Sequence, residues 1–295
     1  MPGVTIRQYG RLVARGSIGT EREDELAERV PSFWSREIPD PPEDFFRFEN
    51  TDFKLTTDEA EWLCERVASV EAWQGRPNLL DGFVRDLRRG RPSPTVNHVW
   101  DAHLPWGTAE GLRDLVYHGR CFSYAIQGAA LLYNLMLAEA LLNLKRTDDP
   151  SQAEEPNETT SPDFYRSSLN AWARSLAPRE LADWAADIRR FWDCLQEAGA
   201  KVSVPTRLFV DAWAECLVLH GPESIADSPE ARTVIMNREL GHKKSQARLA
   251  NRKRLLEYRG QAGTALLSYR WPLIKRLLRD TAAGLAAPVV DDAVA

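Results

Sequence analysis

"SYAIQGAALLYNLMLAEALLNL", residues 123–144, is the least polar stretch of the chain, and whether it spans a membrane or fills a core sets the architecture. It is long enough to cross a bilayer as a helix. Yet it carries Gln127, Asn134, Glu139 and Asn143, and a carboxylate near the centre of a span costs about 2.5 to 3.5 kcal/mol even on a lenient insertion scale. A buried core helix is the better reading. On a helix turning about 100° per residue, Ser123, Gln127 and Asn134 fall within about 40° of one another, while Glu139 and Asn143 lie on a different face. Such a helix, apolar on most sides with one narrow amide and hydroxyl stripe, belongs at the centre of a bundle. The stripe has two readings: an internally satisfied hydrogen-bond network, or the floor of a pocket or groove that receives a ligand or partner.

Outward from this helix, helix signals dominate and strand signals are nearly absent. Thr56 followed by Glu59 is a capping-box signature, and Trp62, Leu63, Val67 and Val70 then give one apolar face. NLLDGFVRDLRRG reads as a short helix closed at Gly90, with Arg88 and Arg89 suiting its C-terminal dipole. DFYRSSLNAWARSLA follows as a helix, then PRELADWAADIRRFWDCLQEAG as one helix opened by Pro178 and ended by Gly199. Pro205 and Pro229 open two more helices, and SYRWPLIKRLLRD contributes a last one. Residues 145–162, KRTDDPSQAEEPNETTSP, have no apolar residue but Ala153 and read as an exposed, disordered acidic loop.

The expected fold is therefore all-α: an irregular multi-helix bundle around a central apolar helix at about 121–145. An extended aromatic and proline strap is expected near 32–53, in FWSREIPDPPEDFFRFENTDF. Residues 21–284 are expected to form a single helical domain interrupted by the 145–162 loop, the alternative being that this segment divides two domains, with 285–295 as a flexible tail. At 295 residues and 43% apolar content the chain can bury a substantial core. Trp62, Trp172, Trp184, Trp192 and Trp213 sit in apolar helical patterns and are expected to pack there. The four widely spaced cysteines, without a CxxC pair, suit buried thiols in a reducing cytoplasm. The N-terminus has no apolar signal-peptide core, and a cytoplasmic protein without a membrane partner is expected.

The net charge of −5 hides an asymmetry. Residues 238–279 hold twelve Lys or Arg against Glu239 and Glu257, a local +10 that leaves −15 on the rest of the chain. On a helix starting near Lys244, residues 244, 248 and 252 would form one row with Asn251 beside it. Lys243, Lys244, Arg248, Asn251, Arg252, Lys253 and Arg254 are the leading contact candidates, followed by Arg270, Lys275 and Arg276. Such a face could neutralise phosphates, meet an acidic protein surface, or stay solvated. No base-reading module is visible. His98 and His103 flank Asp101 at a spacing that does not share a helix face, so no metal site is assigned. No phosphate loop, dinucleotide fingerprint, nucleophile elbow or zinc-protease motif occurs, and no catalytic residue or cofactor is assigned.

Several segments together, "SFWSREIPDPPEDFFRFE", "FKLTTDEAEWLCERV", "HGRCFSYAIQGAALLYNLMLAEA", "VPTRLFVDAW", "RELGHKKSQARLANRKRLLEYRGQAG" and "LSYRWPLIKRLLRD", resemble the uncharacterised prokaryotic domain-of-unknown-function family 6361. The resemblance runs from about residue 20 to residue 280, with "GAALLYNLMLAE" its most specific element. It implies no activity. It implies an accessory role, because relatives tend to be encoded beside helicase-like and phospholipase-D-like nuclease genes in what look like phage-defence neighbourhoods. Relatives also carry a further N-terminal block, of which residues 1–20 look like the remnant. The leading expectation is a non-enzymatic accessory or binding protein that contacts nucleic acid, or a helicase-like or nuclease partner, through the basic segment. Two alternatives stand beside it: an enzyme or small-ligand sensor with a pocket at Ser123, Gln127 and Asn134, and a structural oligomer in which acidic and basic regions pair between chains.

Overall fold

The computed structural model describes residues 54–70, 78–148, 157–175 and 178–286. The 32–53 strap, residues 1–20 and most of the 285–295 tail lie outside them. Among the described residues there are ten α-helices, several 3-10 turns and no strand. The helices are α1 (Thr57–Ser69), α2 (Leu79–Arg88), α3 (Glu110–Asp148), α4 (Pro162–Ser175), α5 (Pro178–Ala186), α6 (Ile188–Glu197), α7 (Val204–Ser224), α8 (Pro229–Lys243), α9 (Arg252–Leu256) and α10 (Trp271–Leu285).

The all-α expectation holds, and the apolar stretch is the interior of α3. Ala125, Leu132, Leu135, Leu137 and Ala138 are buried on successive sides of that helix, which requires neighbours nearly all round it. By length and composition α3 could cross a membrane, but 61% of its most apolar window is buried inside the fold. It is a core helix. Packed on it are α4 to α9, which contribute Tyr165, Trp172, Trp184, Phe191, Trp213 and Leu255 to one hydrophobic cluster. A second cluster joins α1, α2 and α10 through Cys64, Phe83, Val84, Leu87, Trp271 and Leu278. Of the five tryptophans expected in the core, four are buried and Trp62 is half-buried, with the Arg66 guanidinium 5.9 Å above its ring.

Local chemistry sets several boundaries. Thr56 caps α1: its hydroxyl accepts from Glu59 N–H at 3.2 Å, and the Glu59 carboxylate accepts from Thr56 N–H at 2.8 Å. Two indoles anchor neighbours to α3, Trp172 donating to the Tyr124 carbonyl at 2.9 Å and Trp213 to the Ala125 carbonyl at 2.8 Å. Trp172 comes that close because residue 128 is glycine; a Cβ there would stand 2.2 Å from the ring. Glu139 leaves the opposite face of α3 and receives Arg166 from α4 at 2.9 Å and Arg232 from α8 at 2.6 Å. Burial works against that carboxylate, but the two guanidinium groups outweigh it and hold its pKa below the ordinary value.

Three boundaries differ from the sequence reading. The central helix starts at Glu110, well before residue 121, because Leu115, Val116 and Phe122 continue its apolar face between the two clusters. It ends at Asp148, so the first residues of the expected loop are helical, and Glu158–Thr160 forms a 3-10 turn with Thr160 buried; of that loop, 149–156 lies outside the described residues. The 178–199 segment breaks at Asp187 into α5 and α6. Trp184 donates to His118 at 3.1 Å while Phe191 stacks 5.3 Å from Phe122. Those partners are about 6 Å apart along α3, whereas seven residues of straight helix advance about 10.5 Å; the break draws the two rings to 5.4 Å from each other.

Candidate nucleic-acid interface

The polar stripe of α3 and the basic segment are parts of one arrangement. Asn134 pairs with the peptide of Ala262 at both ends: its Nδ2 donates to the Ala262 carbonyl at 2.8 Å and its Oδ1 accepts from Ala262 N–H at 2.9 Å. Tyr258 Oη donates to the same Oδ1 at 2.8 Å and lies 3.0 Å from Tyr165 Oη. Tyr165 in turn donates to the Thr159 carbonyl and accepts from Gln261 N–H. Farther along, Gln127 donates to the Thr264 carbonyl at 3.0 Å and Ser123 accepts from Leu267 N–H at 2.8 Å. Tyr269 completes the track by donating to the Gly119 carbonyl at 2.7 Å. Ser123, Gln127 and Asn134 therefore act as acceptors and donors for irregular backbone laid antiparallel on the helix. From Asn134 to Gly119 the track is about 22 Å long.

At its upper end the backbone turns three times. After α8, Lys244 adopts φ 49°, and 3-10 turns at Lys244–Gln246 and Arg248–Ala250 precede the single-turn α9. The continuous helix expected from Lys244, with a 244, 248 and 252 row, does not form. The reason is Glu239. Only 5% exposed, its carboxylate accepts the N–H groups of Arg248 at 2.9 Å and Leu249 at 3.1 Å, the Tyr133 hydroxyl and the Lys243 ammonium at 3.3 Å. Those contacts draw the backbone of 248–249 back onto α8. Burial alone would raise the Glu239 pKa, but these donors outweigh it and hold it below the ordinary carboxylate value. Burial, with Glu239 as its acceptor, pushes the Tyr133 hydroxyl up. Asn251 caps α9, accepting from Arg254 N–H at 3.2 Å and donating to the Ser245 carbonyl at 2.8 Å.

The structure divides the ten candidate residues. Lys243 is held by Glu239 and lies 5.1 Å from the Tyr133 ring centre, and Arg254 is held by Gln246 and Glu257. Asn251 serves the turn, and Lys275 donates to the Thr95 carbonyl at 3.3 Å. Arg248 is half-buried, whereas Lys244, Arg252 and Lys253 present exposed side chains around the turns. Arg270 and Arg276 are exposed at the far end of the track, separated from the others by most of its length. Sequence reasoning does not reach Tyr133, Tyr165 or Tyr258, and it names Glu239 only for its charge. The signal that existed was Glu239 itself, one of two carboxylates in a stretch of twelve cations.

Two cavities adjoin this arrangement. One of about 470 Å³ lies beside Gln127, between Tyr124, Phe164, Ser168, Gln261 and Thr264. The other, about 600 Å³, runs along the seam between the two hydrophobic clusters. Among the described residues no group of three or more His, Cys, Asp or Glu side chains is placed to hold a metal ion; His98 instead stacks on Trp100 at 4.5 Å. In comparisons with known proteins, the profile of DUF6361, a family of unknown function, matches residues 16–284. No curated protein and no solved structure matches.

Proposed function

The chain belongs to the DUF6361 family, and from that premise we propose that it works by binding, its 244–254 turns contacting the phosphates of a nucleic acid. The observation that carries this is the inward turn of Glu239. At 5% exposure its carboxylate pairs with Lys243 and accepts from the backbone of Arg248 and Leu249, so one negative charge orders the turns that carry the other cations. Lys244, Arg252 and Lys253 are left exposed on these hydrogen-bonded turns, with Arg248 half-buried. Fixing the backbone beforehand lowers the ordering cost of association, and grouped cations release counterions from a polyanion. We place this activity in the cytoplasm, which suits four buried reduced thiols.

The test is fluorescence anisotropy with labelled single- and double-stranded DNA and RNA over a range of salt. Binding should weaken steeply as salt rises, and the triple variant Lys244→Glu, Arg252→Glu, Lys253→Glu should flatten the log K against log salt slope by at least about 2 while remaining folded. Equal affinity and slope in the folded variant would refute the assignment. Absence of binding by the unaltered protein at low salt would turn the surface over to an acidic protein partner, the helicase-like or nuclease class suggested by the family resemblance.

A further inference from the structure

We propose that the 600 Å³ groove between the two hydrophobic clusters is a binding site for a free single-chain amphiphile with an anionic head, of the fatty-acid carboxylate class. The groove is separate from the 244–254 turns. Its walls come from elements distant in sequence: Phe83 of α2, Trp100, Phe122 of α3, Trp192 of α6, and Trp271 and Ile274 of α10. Its volume falls in the range of small-molecule sites. Three donors in the lining are engaged by other protein groups, and Thr206 serves as an acceptor. The Tyr269 hydroxyl donates to Gly119, the Trp271 indole to the Val96 carbonyl and the Trp192 indole to Asp211, while the Thr206 hydroxyl oxygen accepts from Ser203.

That distribution selects the occupant. A peptide laid in the groove would bury backbone N–H and C=O groups with few partners, at a cost for each. A hydrocarbon chain loses no hydrogen bonds there. The lining has one charged residue, Arg270, exposed and with no side-chain hydrogen bond or ion pair among the described residues. The start of α10 offers no competing donor: Trp271 N–H bonds Ser268, residue 272 is proline, and the N–H groups of Leu273 and Ile274 bond the Arg270 carbonyl. A single arginine in a lining otherwise without charge matches a single anionic head on an apolar tail, because its flexible side chain can bring the guanidinium to a carboxylate and give it two parallel hydrogen bonds.

Isothermal titration of the full chain with octanoate, decanoate and dodecanoate, each below its micelle concentration, tests this. One site per chain is expected, with affinity rising about fourfold per added methylene, the equivalent of ~0.8 kcal/mol for each CH₂ buried. Arg270→Ala should weaken dodecanoate three- to tenfold and leave neutral dodecanol unchanged. Val202→Trp, placed at the partly exposed rim, should abolish both. The proposal is overturned by no saturable binding, by affinity independent of chain length, or by binding that persists in a folded Val202→Trp variant. Binding to anionic phospholipid vesicles without binding of monomeric dodecanoate would also overturn it, since the face would then be a membrane surface.

Discussion

Gly128→Ala should destabilise the fold, although the same exchange in an exposed helix stabilises by about 1 kcal/mol. The new Cβ would lie 2.2, 2.5 and 2.7 Å from three atoms of the Trp172 ring, where ordinary contact begins near 3.4 Å. The ring would have to withdraw by roughly 1 Å to restore contact distance. It is buried among its neighbours and tied to the Tyr124 carbonyl at 2.9 Å. Overpacking of this kind costs about 1 to 3 kcal/mol, and an indole N–H pulled off its acceptor without water costs about 1 to 3 more. Less the helix-propensity gain, the net loss is about 1 to 5 kcal/mol, a large part of the stability of an ordinary domain. Urea denaturation should show a lower midpoint with an unchanged slope. In a Trp172→Leu background the same Gly128→Ala exchange should be neutral or stabilising, since the clash is gone; the difference between backgrounds is the coupling. A raised midpoint for Gly128→Ala in the unaltered protein would mean that the Trp172 ring does not pack against residue 128 in this way.

Asn134→Ala should cost about 2 to 4 kcal/mol, since the Ala262 peptide and the Tyr258 hydroxyl lose their partner together; hydrogen exchange should show amides 258–267 opening first, and unchanged protection there would count against the track. Glu239 has a lowered folded pKa, so its stabilisation is complete above the unfolded carboxylate value and is lost as pH falls through the folded one. Acid should therefore loosen the 244–254 turns only below the ordinary glutamate range, and Glu239→Gln should remove that pH dependence when exchange at Arg248 and Leu249 is followed. Gly260→Ala should destabilise by at least about 1 to 3 kcal/mol in thermal or urea melts, because its φ is +92° and a Cβ would meet the Thr159 carbonyl oxygen at 2.0 Å; a neutral result would exclude that close approach. The four thiols are buried, and burial pushes each up, Cys121 to about 11; a thiol reagent at pH 8 should react only as denaturant unfolds the chain, and rapid native-state labelling would contradict the burial.

The helical class, the burial of the 123–144 stretch, the Thr56 cap and the concentration of positive charge after residue 238 are all legible in the sequence. These depend on residues near one another along the chain: periodicity, a capping pair three residues apart, and local charge density. It also isolated Ser123, Gln127 and Asn134 as a stripe, because helical phase is a local property. What the stripe bonds to emerges only on folding, since its partners Thr264, Ala262 and Leu267 are 128 to 144 residues away, with no periodic pattern to couple them. For the same reason the expected helix at Lys244 gave way to turns. Local propensity favoured continuation, but a buried Glu239 needed donors, and the nearest backbone N–H groups could reach it only if the helix ended. The groove is tertiary throughout, formed where two hydrophobic clusters meet without filling the seam, and its single cation was indistinguishable in the sequence from eleven others.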